Sequence, residues 1–304
     1  MESLDGSRTG IPASAGIPAS AGIPASAGIP AIPVGVCLRS MGAPWSWWRD
    51  AALRLEAAGY AGIWSWDHFV SRGRRETPVL EAWTALTAIA ALTEHATVGT
   101  FVANVMNRQP AVLARMAATL QEVSGGRLVL GIGIGGNAAE HLAYGIPWPD
   151  APERVARLEE AVAVVRALWT GGPITRPSAY YPLVDAVAHP VPHPPPPIIV
   201  GGETAAGPAL AARIGDGWTT FTDRFVLDLP RYLDALAANG RERTDMRVIV
   251  GYQAGPGGAL DATAWVADPR GEPERWRDAG ADEAVVTARS EDDIEALVRA
   301  AGRW

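Results

Sequence analysis

Residues 128–141 read LVLGIGIGGNAAEH, an apolar run that ends in a burst of glycine. Gly131, Gly133 and Gly136 match G-x-G-x-x-G, the spacing used where a backbone must come close to a pyrophosphate. Two folds compete for such a stretch. A dinucleotide-binding turn sits on the first strand of a doubly wound sheet and feeds a helix at once. Here the stretch is the fourth strand-like run, and Pro147 and Pro149 follow within a turn or two. Asp150 lies near the spacing of a ribose-binding acid, but it falls between prolines and not at a strand end.

The runs on either side of this stretch repeat one alternation. Strand-like segments are VGVCL (34–38), AGIWSW (61–66), ATVGTFV (96–102), RLVLGIG (127–133), PIIVGG (197–202), GWTTF (217–221), MRVIVGY (246–252) and DEAVVTA (282–288). Helix-like segments are expected at 45–58, 79–93, 110–123, 152–169, 205–214, 229–239, 272–279 and 291–301. Pro stands near the start of several and Gly just past the end of several, the asymmetry of helix termini. Eight pairs with near-continuous apolar strands describe a parallel sheet buried on both faces. The economical closure is an α/β fold of the (β/α)8 TIM-barrel type, about 250 residues long. An open doubly wound sheet is the competing arrangement. In a barrel, catalytic groups follow the C-terminal ends of strands. The residues found there are Asp67 and His68, Ala103 and Asn104, the glycines after Leu130, and Gly201, Gly202 and Glu203.

Composition narrows the function. With 48% hydrophobic residues in 304, the chain can bury a sizeable core. Acidic residues outnumber basic ones 33 to 26, a net charge of −7, so nothing drives the chain toward nucleic acid by counterion release. All the basic residues are arginine. The single cysteine, Cys37, permits no internal disulfide and no Cys-based zinc site, which fits a reducing cytoplasm. It lies inside the first strand and reads as a small buried residue. No run of about 18 apolar residues appears, so no membrane span is expected. At the N-terminus GIPASA occupies 10–15, 16–21 and 22–27, followed by GIPAIP. Proline every six residues blocks a helix and the period forms no apolar face, so residues 1–30 are expected to be disordered and the folded domain to span 31–304.

Taken in order, the strand ends resemble the bacterial-luciferase-like superfamily of flavin and deazaflavin oxidoreductases. The matching stretches are GYAGIWSWDHF (59–69), TVGTFVANVMNRQPAVLARMAATLQEVSGGRLVLGIGIGG (97–136), ERVARLEEAVAVVRALWTGG (153–172) and PPIIVGGETAAGPALAARIGDGWTTF (196–221). Within the superfamily the likeness is closer to enzymes using coenzyme F420, a deazaflavin, than to those using FMN. The resemblance implies an F420-dependent oxidoreductase that passes a hydride between deazaflavin C5 and a small organic substrate. It also implies a homodimer. An FMN-dependent monooxygenase and a non-catalytic flavin-binding protein are the alternatives on the same fold.

The resemblance also assigns roles to residues. Asp67 and His68 are expected beside the ring, with His68 exchanging a proton with substrate; an imidazole after a barrel strand suits that work because its titration lies near neutrality. A structural histidine capping a loop is the other reading. A bulge with a non-prolyl cis peptide behind the ring aligns with Thr100 and Phe101, and Ala103 and Asn104 are expected to meet the ring's polar edge. Gly133, Gly135 and Gly136 would let the fourth strand's exit approach the cofactor tail. Gly201, Gly202, Glu203 and Thr204, leading into a helix near Ala205, would offer backbone N–H groups to a phosphate. Two positions depart from the sugar-phosphate dehydrogenases of the superfamily: Gly136 stands where they carry a catalytic Glu, and Arg72 where they carry an aromatic. Glu140, one turn after Gly136, is expected to orient a loop. His189 and His193, in a proline-rich stretch, read as solvated imidazoles, and no metal site is expected.

Overall fold

The computed structural model describes residues 30–304 apart from 72, 73, 75, 205 and 256. The repeat expected to be disordered lies almost wholly outside the described residues, as does Arg72. Eleven strands are found among the described residues: β1 (Val34–Leu38), β2 (Gly62–Ser65), β3 (Thr97–Thr100), β4 (Ala103–Asn104), β5 (Leu128–Gly133), β6 (Ile174–Arg176), β7 (Leu183–Ala186), β8 (Ile198–Gly201), β9 (Gly217–Phe221), β10 (Arg247–Tyr252) and β11 (Glu283–Ala288). The large sheet runs β3-β2-β1-β11-β10-β9-β8-β5-β4, every pairing is parallel, and β3 also pairs with β5. That last pairing closes the sheet into a barrel and excludes the open arrangement. All eight expected strands are present.

The helices α1 (Trp45–Ala57), α2 (Ala82–Leu92), α3 (Pro110–Val123), α4 (Ala138–Ala143), α5 (Ala151–Leu168), α6 (Gly207–Ile214), α7 (Thr222–Ala238), α8 (Ala264–Ala267), α9 (Gly271–Asp278) and α10 (Glu291–Ala301) pack around it. The structure adds four things to the expected strands and α-helices: the antiparallel β6–β7 hairpin, the two-residue β4, and the short helices α4 and α8. It also moves one helix start. Pro230 suggested that a helix begins near Leu229, yet α7 begins at Thr222 and carries Pro230 inside it. Fully buried Asp228 braces both sides of the proline, accepting from Arg224 at 3.0 Å and from Arg231 at 2.7 Å. Trp218 stacks on Phe225 and Tyr232 across the same point, with centroids 5.6 and 5.1 Å away.

Two apolar cores result. The larger lies between strands and helices; the smaller fills the barrel with Cys37, Trp64, Phe101, Val129, Ile199, Ile249 and Val285, and Trp66 and Phe221 pack against it. Trp64 is fully buried, and three strand glycines make its slot: a Cβ on Gly35, Gly62 or Gly99 would run into the indole. Cys37 is buried there, as expected, and burial pushes its thiol well above the usual range.

Candidate active site

The mouth of the barrel is built where β2, β4, β5 and β8 end. Asp67, two residues past β2, is nearly inaccessible. Arg108 grips its carboxylate with both terminal nitrogens, at 2.7 and 2.9 Å, while the Asn104 N–H and the Asn107 amide donate to it at 3.0 and 3.2 Å. Both oxygens are therefore occupied by protein donors, and Asp67 acts on the site through the segments it ties together. It anchors β4 and the turn leading to α3. Arg108 also contacts Glu81, whose carboxylate receives the Trp83 and Thr84 N–H groups at the start of α2. Burial works against the charge on Glu81, but bonds from Thr84 and the nearby Arg108 outweigh it and hold this carboxyl below the usual range.

His68 stands beside this anchor with its side chain 29% exposed, facing Glu140, whose side chain is 1% exposed. The ring Nδ1 lies 3.4 Å from the Glu140 carboxylate, and Oε2 of the same group accepts the backbone N–H of Phe69 at 3.0 Å and of Val70 at 3.2 Å. Burial alone would raise this carboxyl; the His68 contact and the two backbone donors outweigh it, so Glu140 sits below the ordinary glutamate range. Glu140 holds its place because Asn137 caps α4. It thus orients a loop, as expected, and the loop is the one that carries His68.

Asn104 is 8% exposed, and its amide is committed. Nδ2 donates to Asn107 Oδ1 at 3.0 Å and meets His141 Nε2 at 2.8 Å, while Oδ1 accepts from Met106 N–H. The fully buried His141 has its Nδ1 2.8 Å from the Asn137 carbonyl, so that nitrogen carries the hydrogen and Nε2 accepts. With the Asn104 backbone N–H given to Asp67, neither its side-chain amide nor that N–H remains for other work at the mouth.

Thr100 and Phe101 separate in role. Thr100 is fully buried and its hydroxyl donates to the Gly131 carbonyl at 2.6 Å, fastening β3 to β5. Phe101 forms part of the barrel's upper floor, edge-on to Trp64 and to Phe221 at 5.9 Å from each. The non-prolyl cis peptide is at Phe101–Val102, one bond beyond the expected Thr100–Phe101. The ladder accounts for the offset: Thr100 still pairs with Ser65, and the Phe101 N–H still donates to the Ser65 carbonyl at 2.7 Å. The chain departs from the strand only afterwards.

That departure explains the glycines. The side chain of Val102 lies against β5 and β8, where a Cβ on Gly133 would stand 3.0 Å from it and one on Gly201 2.9 Å. The G-x-G spacing therefore also admits a valine of the same chain. Gly135 has φ +76°, and a Cβ there would meet the Asn104 amide at 2.6 Å. Gly136 follows it into the exit loop. Beyond β8, Gly202 packs on Gly207, and the Gly207 N–H donates to Thr204 at 2.9 Å, closing a turn in which Glu203 and Thr204 are exposed. The helix after it begins at Gly207, two residues later than expected, because this turn takes up the preceding residues.

Arg108, Asn107 and His141 were not singled out from the sequence. A buried acid after β2 demands a cation, and Arg108, just before the Pro110 that opens α3, was a readable candidate. Among the described residues no group of His, Cys, Asp and Glu is arranged to hold a metal ion.

Comparison with known proteins agrees with this architecture. The chain is 33% identical over 231 residues, 72% of its own length and 68% of the relative's, to an F420-dependent glucose-6-phosphate dehydrogenase of Microbacterium testaceum. It is 32% identical to that of Beutenbergia cavernae, covering 82% of this chain and 76% of the other. Among solved structures, an F420-dependent secondary alcohol dehydrogenase in complex with an F420-acetone adduct superposes with a TM-score of 0.76 at 21% identity, covering 90% of this chain and 99% of the other. The F420-dependent tetrahydromethanopterin reductase of Methanopyrus kandleri superposes at 0.71 with 18% identity, covering 89% and 97%; both likenesses concern the fold. Residues 31–256 match the model of the luciferase-like monooxygenases, and the chain belongs to that family.

Proposed function

We propose that the protein is an F420-dependent oxidoreductase that moves a hydride between C5 of the deazaflavin and a small organic substrate, with His68 exchanging a proton with that substrate. The observation that carries this reading is the His68–Glu140 pair at the mouth of the barrel. A half-exposed imidazole backed by a buried carboxylate is a positioned proton carrier, because one ring nitrogen is oriented and the other is left for a partner. The curated relatives, F420-dependent dehydrogenases, support the choice of cofactor.

The residues present fit such a group. Phe101, Phe221 and Trp66 give an apolar floor. The start of α6 has no side-chain cap and no acid in its first turn, so its dipole favours an anion there, although the Gly207 N–H is already given to the Thr204 carbonyl and Pro208 has none. When bound, F420 supplies a carbon that accepts or releases hydride. Asp67 and Arg108 keep β4 in place, so that the Ala103 and Asn104 backbone can meet the polar edge of the ring. Gly135, Gly136 and the turn Gly201–Gly202–Glu203–Thr204 lie along the path proposed for the tail. Gly136 stands where the sugar-phosphate dehydrogenases carry a catalytic Glu, so proton exchange falls to His68, and a substrate other than a sugar phosphate fits this reading. It includes a homodimer, as the family resemblance implies, working in the cytoplasm, which the single cysteine fits.

Titration of the purified protein with F420 and with FMN, followed by absorbance and fluorescence, tests the cofactor. F420 is expected to bind more tightly. Submicromolar FMN binding with no detectable F420 binding would overturn the reading.

A further inference from the structure

Arg39 directly follows β1 at the mouth end of the barrel. Side chains alternate along a strand, and Cys37 belongs to the barrel's interior core, so Arg39 points to the same inward side one step higher. Its backbone is fixed on both sides: its N–H donates to the Ala288 carbonyl at 3.1 Å, and its carbonyl accepts the Trp48 indole N–H at 2.9 Å. The side chain is half-buried. Its Nε is closed off from solvent with no hydrogen-bond partner, and no carboxylate pairs with the guanidinium among the described residues.

Three carboxylates of the mouth are spoken for, and Glu203 is exposed on the turn after β8, across the mouth from β1. Asp67 and Glu81 are held by Arg108, and Glu140 by His68 and two backbone N–H groups. Thr287, the register partner of Cys37 on the neighbouring β11, is on the same inward face at 1% exposure, and its hydroxyl also lacks a partner. A half-buried guanidinium with an orphaned N–H is destabilising until an acceptor completes it. Its location says which acceptor. Around the closed barrel β1 is four strands from β8 in either direction, so Arg39 lies across the mouth from the turn proposed to hold the cofactor's phosphate. The anion it awaits is a second one.

We infer that Arg39 is the anion-recognising group of the active-site mouth, and that the substrate carries a carboxylate or phosphate that the guanidinium holds. This rests on the reading of the strand ends as the active site. A planar fork of N–H donors suits both anions and fixes orientation as well as charge.

Calorimetric titration of the full chain, without cofactor, by inorganic phosphate and by acetate at constant ionic strength tests it. Wild type is expected to bind at least one of the two saturably, phosphate alone indicating a phosphate ester and acetate alone a carboxylate. Arg39→Met should weaken that binding about 10- to 100-fold, the loss of a hydrogen-bonded charge, and Arg39→Lys should restore part of it. If Arg39→Met does not fold, Arg39→Gln, which keeps N–H donors without charge, carries the same expectation. Saturable binding unchanged by these substitutions, or none of either anion by wild type, overturns the inference. Because no cofactor is present, failure here with F420 binding intact removes only the role of Arg39, and failure of F420 binding leaves this measurement standing.

Discussion

The inside of the barrel and its mouth are made from the same strands by opposite means. Inside, the chain solves a volume problem: Trp64 is accommodated because Gly35, Gly62 and Gly99 bring no side chain, and Cys37, Val129, Ile199, Ile249 and Val285 fill the rest. At the mouth it solves a charge problem: Asp67, Arg108, Glu81, Glu140 and His68 answer one another across separate segments. Packing tolerates no empty or doubled space, so the interior should respond to size. A hydrogen-bonded charge network should respond to protonation and to loss of a partner. The two regions can therefore be told apart by experiment.

The largest effect is expected at the mouth and in rate. His68→Ala should lower kcat by about 10²- to 10⁴-fold, the usual cost of losing a positioned acid or base, once a substrate is in hand. Cofactor affinity and the thermal midpoint should stay close to wild type, because His68 contributes one long contact to Glu140 while the loop is held by the Phe69 and Val70 N–H groups. A variant that turns over at near wild-type rate, or fails only because it no longer holds F420, would assign His68 to structure or binding.

The next effect belongs to the interior and to stability. A Cβ on Gly99 would overlap the Trp64 indole and stand 3.0 Å from the Val129 carbonyl, neither of which can retreat within a filled barrel. Gly99→Ala should cost about 1–3 kcal/mol, as overpacking does, read as a lower urea midpoint at unchanged slope. Activity per folded molecule should be kept. An unchanged midpoint would mean that Trp64 can repack, and the contrast between a rigid interior and a networked mouth would fail on the interior side.

The sequence carried the interior better than the mouth, and the reason is physical. Burial on both faces leaves a local trace, an unbroken apolar run, and each of the eight strands was found within a residue or two of its place, GWTTF (217–221) without error. The mouth leaves no such trace. Asp67 finds Arg108, and His68 finds Glu140, across 41 and 72 positions of chain. Only the type of residue, an acid or a histidine after a strand, was readable beforehand. The glycines show the same limit from the other side: G-x-G announced a close approach, but that Val102 is what approaches depends on how the chain leaves β3. Pro230 misled because a proline reads as a helix start unless the bracing by Asp228 is known.

The smallest effect should come from Glu140→Gln, and it is the most diagnostic because its sign depends on pH. Gln keeps an oxygen for the Phe69 and Val70 N–H groups and removes the charge facing His68. The Glu140 carboxyl is held below its ordinary value in the folded protein, so it binds a proton less readily there than in the unfolded chain. Its contribution is then fully present above the unfolded value of about 4.3 and is lost as pH falls through the lower folded value. Wild type should exceed Glu140→Gln by about 1–2 kcal/mol at pH 7, the worth of hydrogen bonds to a charged group, and the gap should close as the medium is taken below about pH 4. Urea unfolding of both proteins at neutral and acid pH measures it. A gap that persists in acid would mean that shape alone holds the loop. A gap that closes would show the mouth to be governed by charge, and Gly99→Ala, measured alongside, should lose the same stability at both pH values.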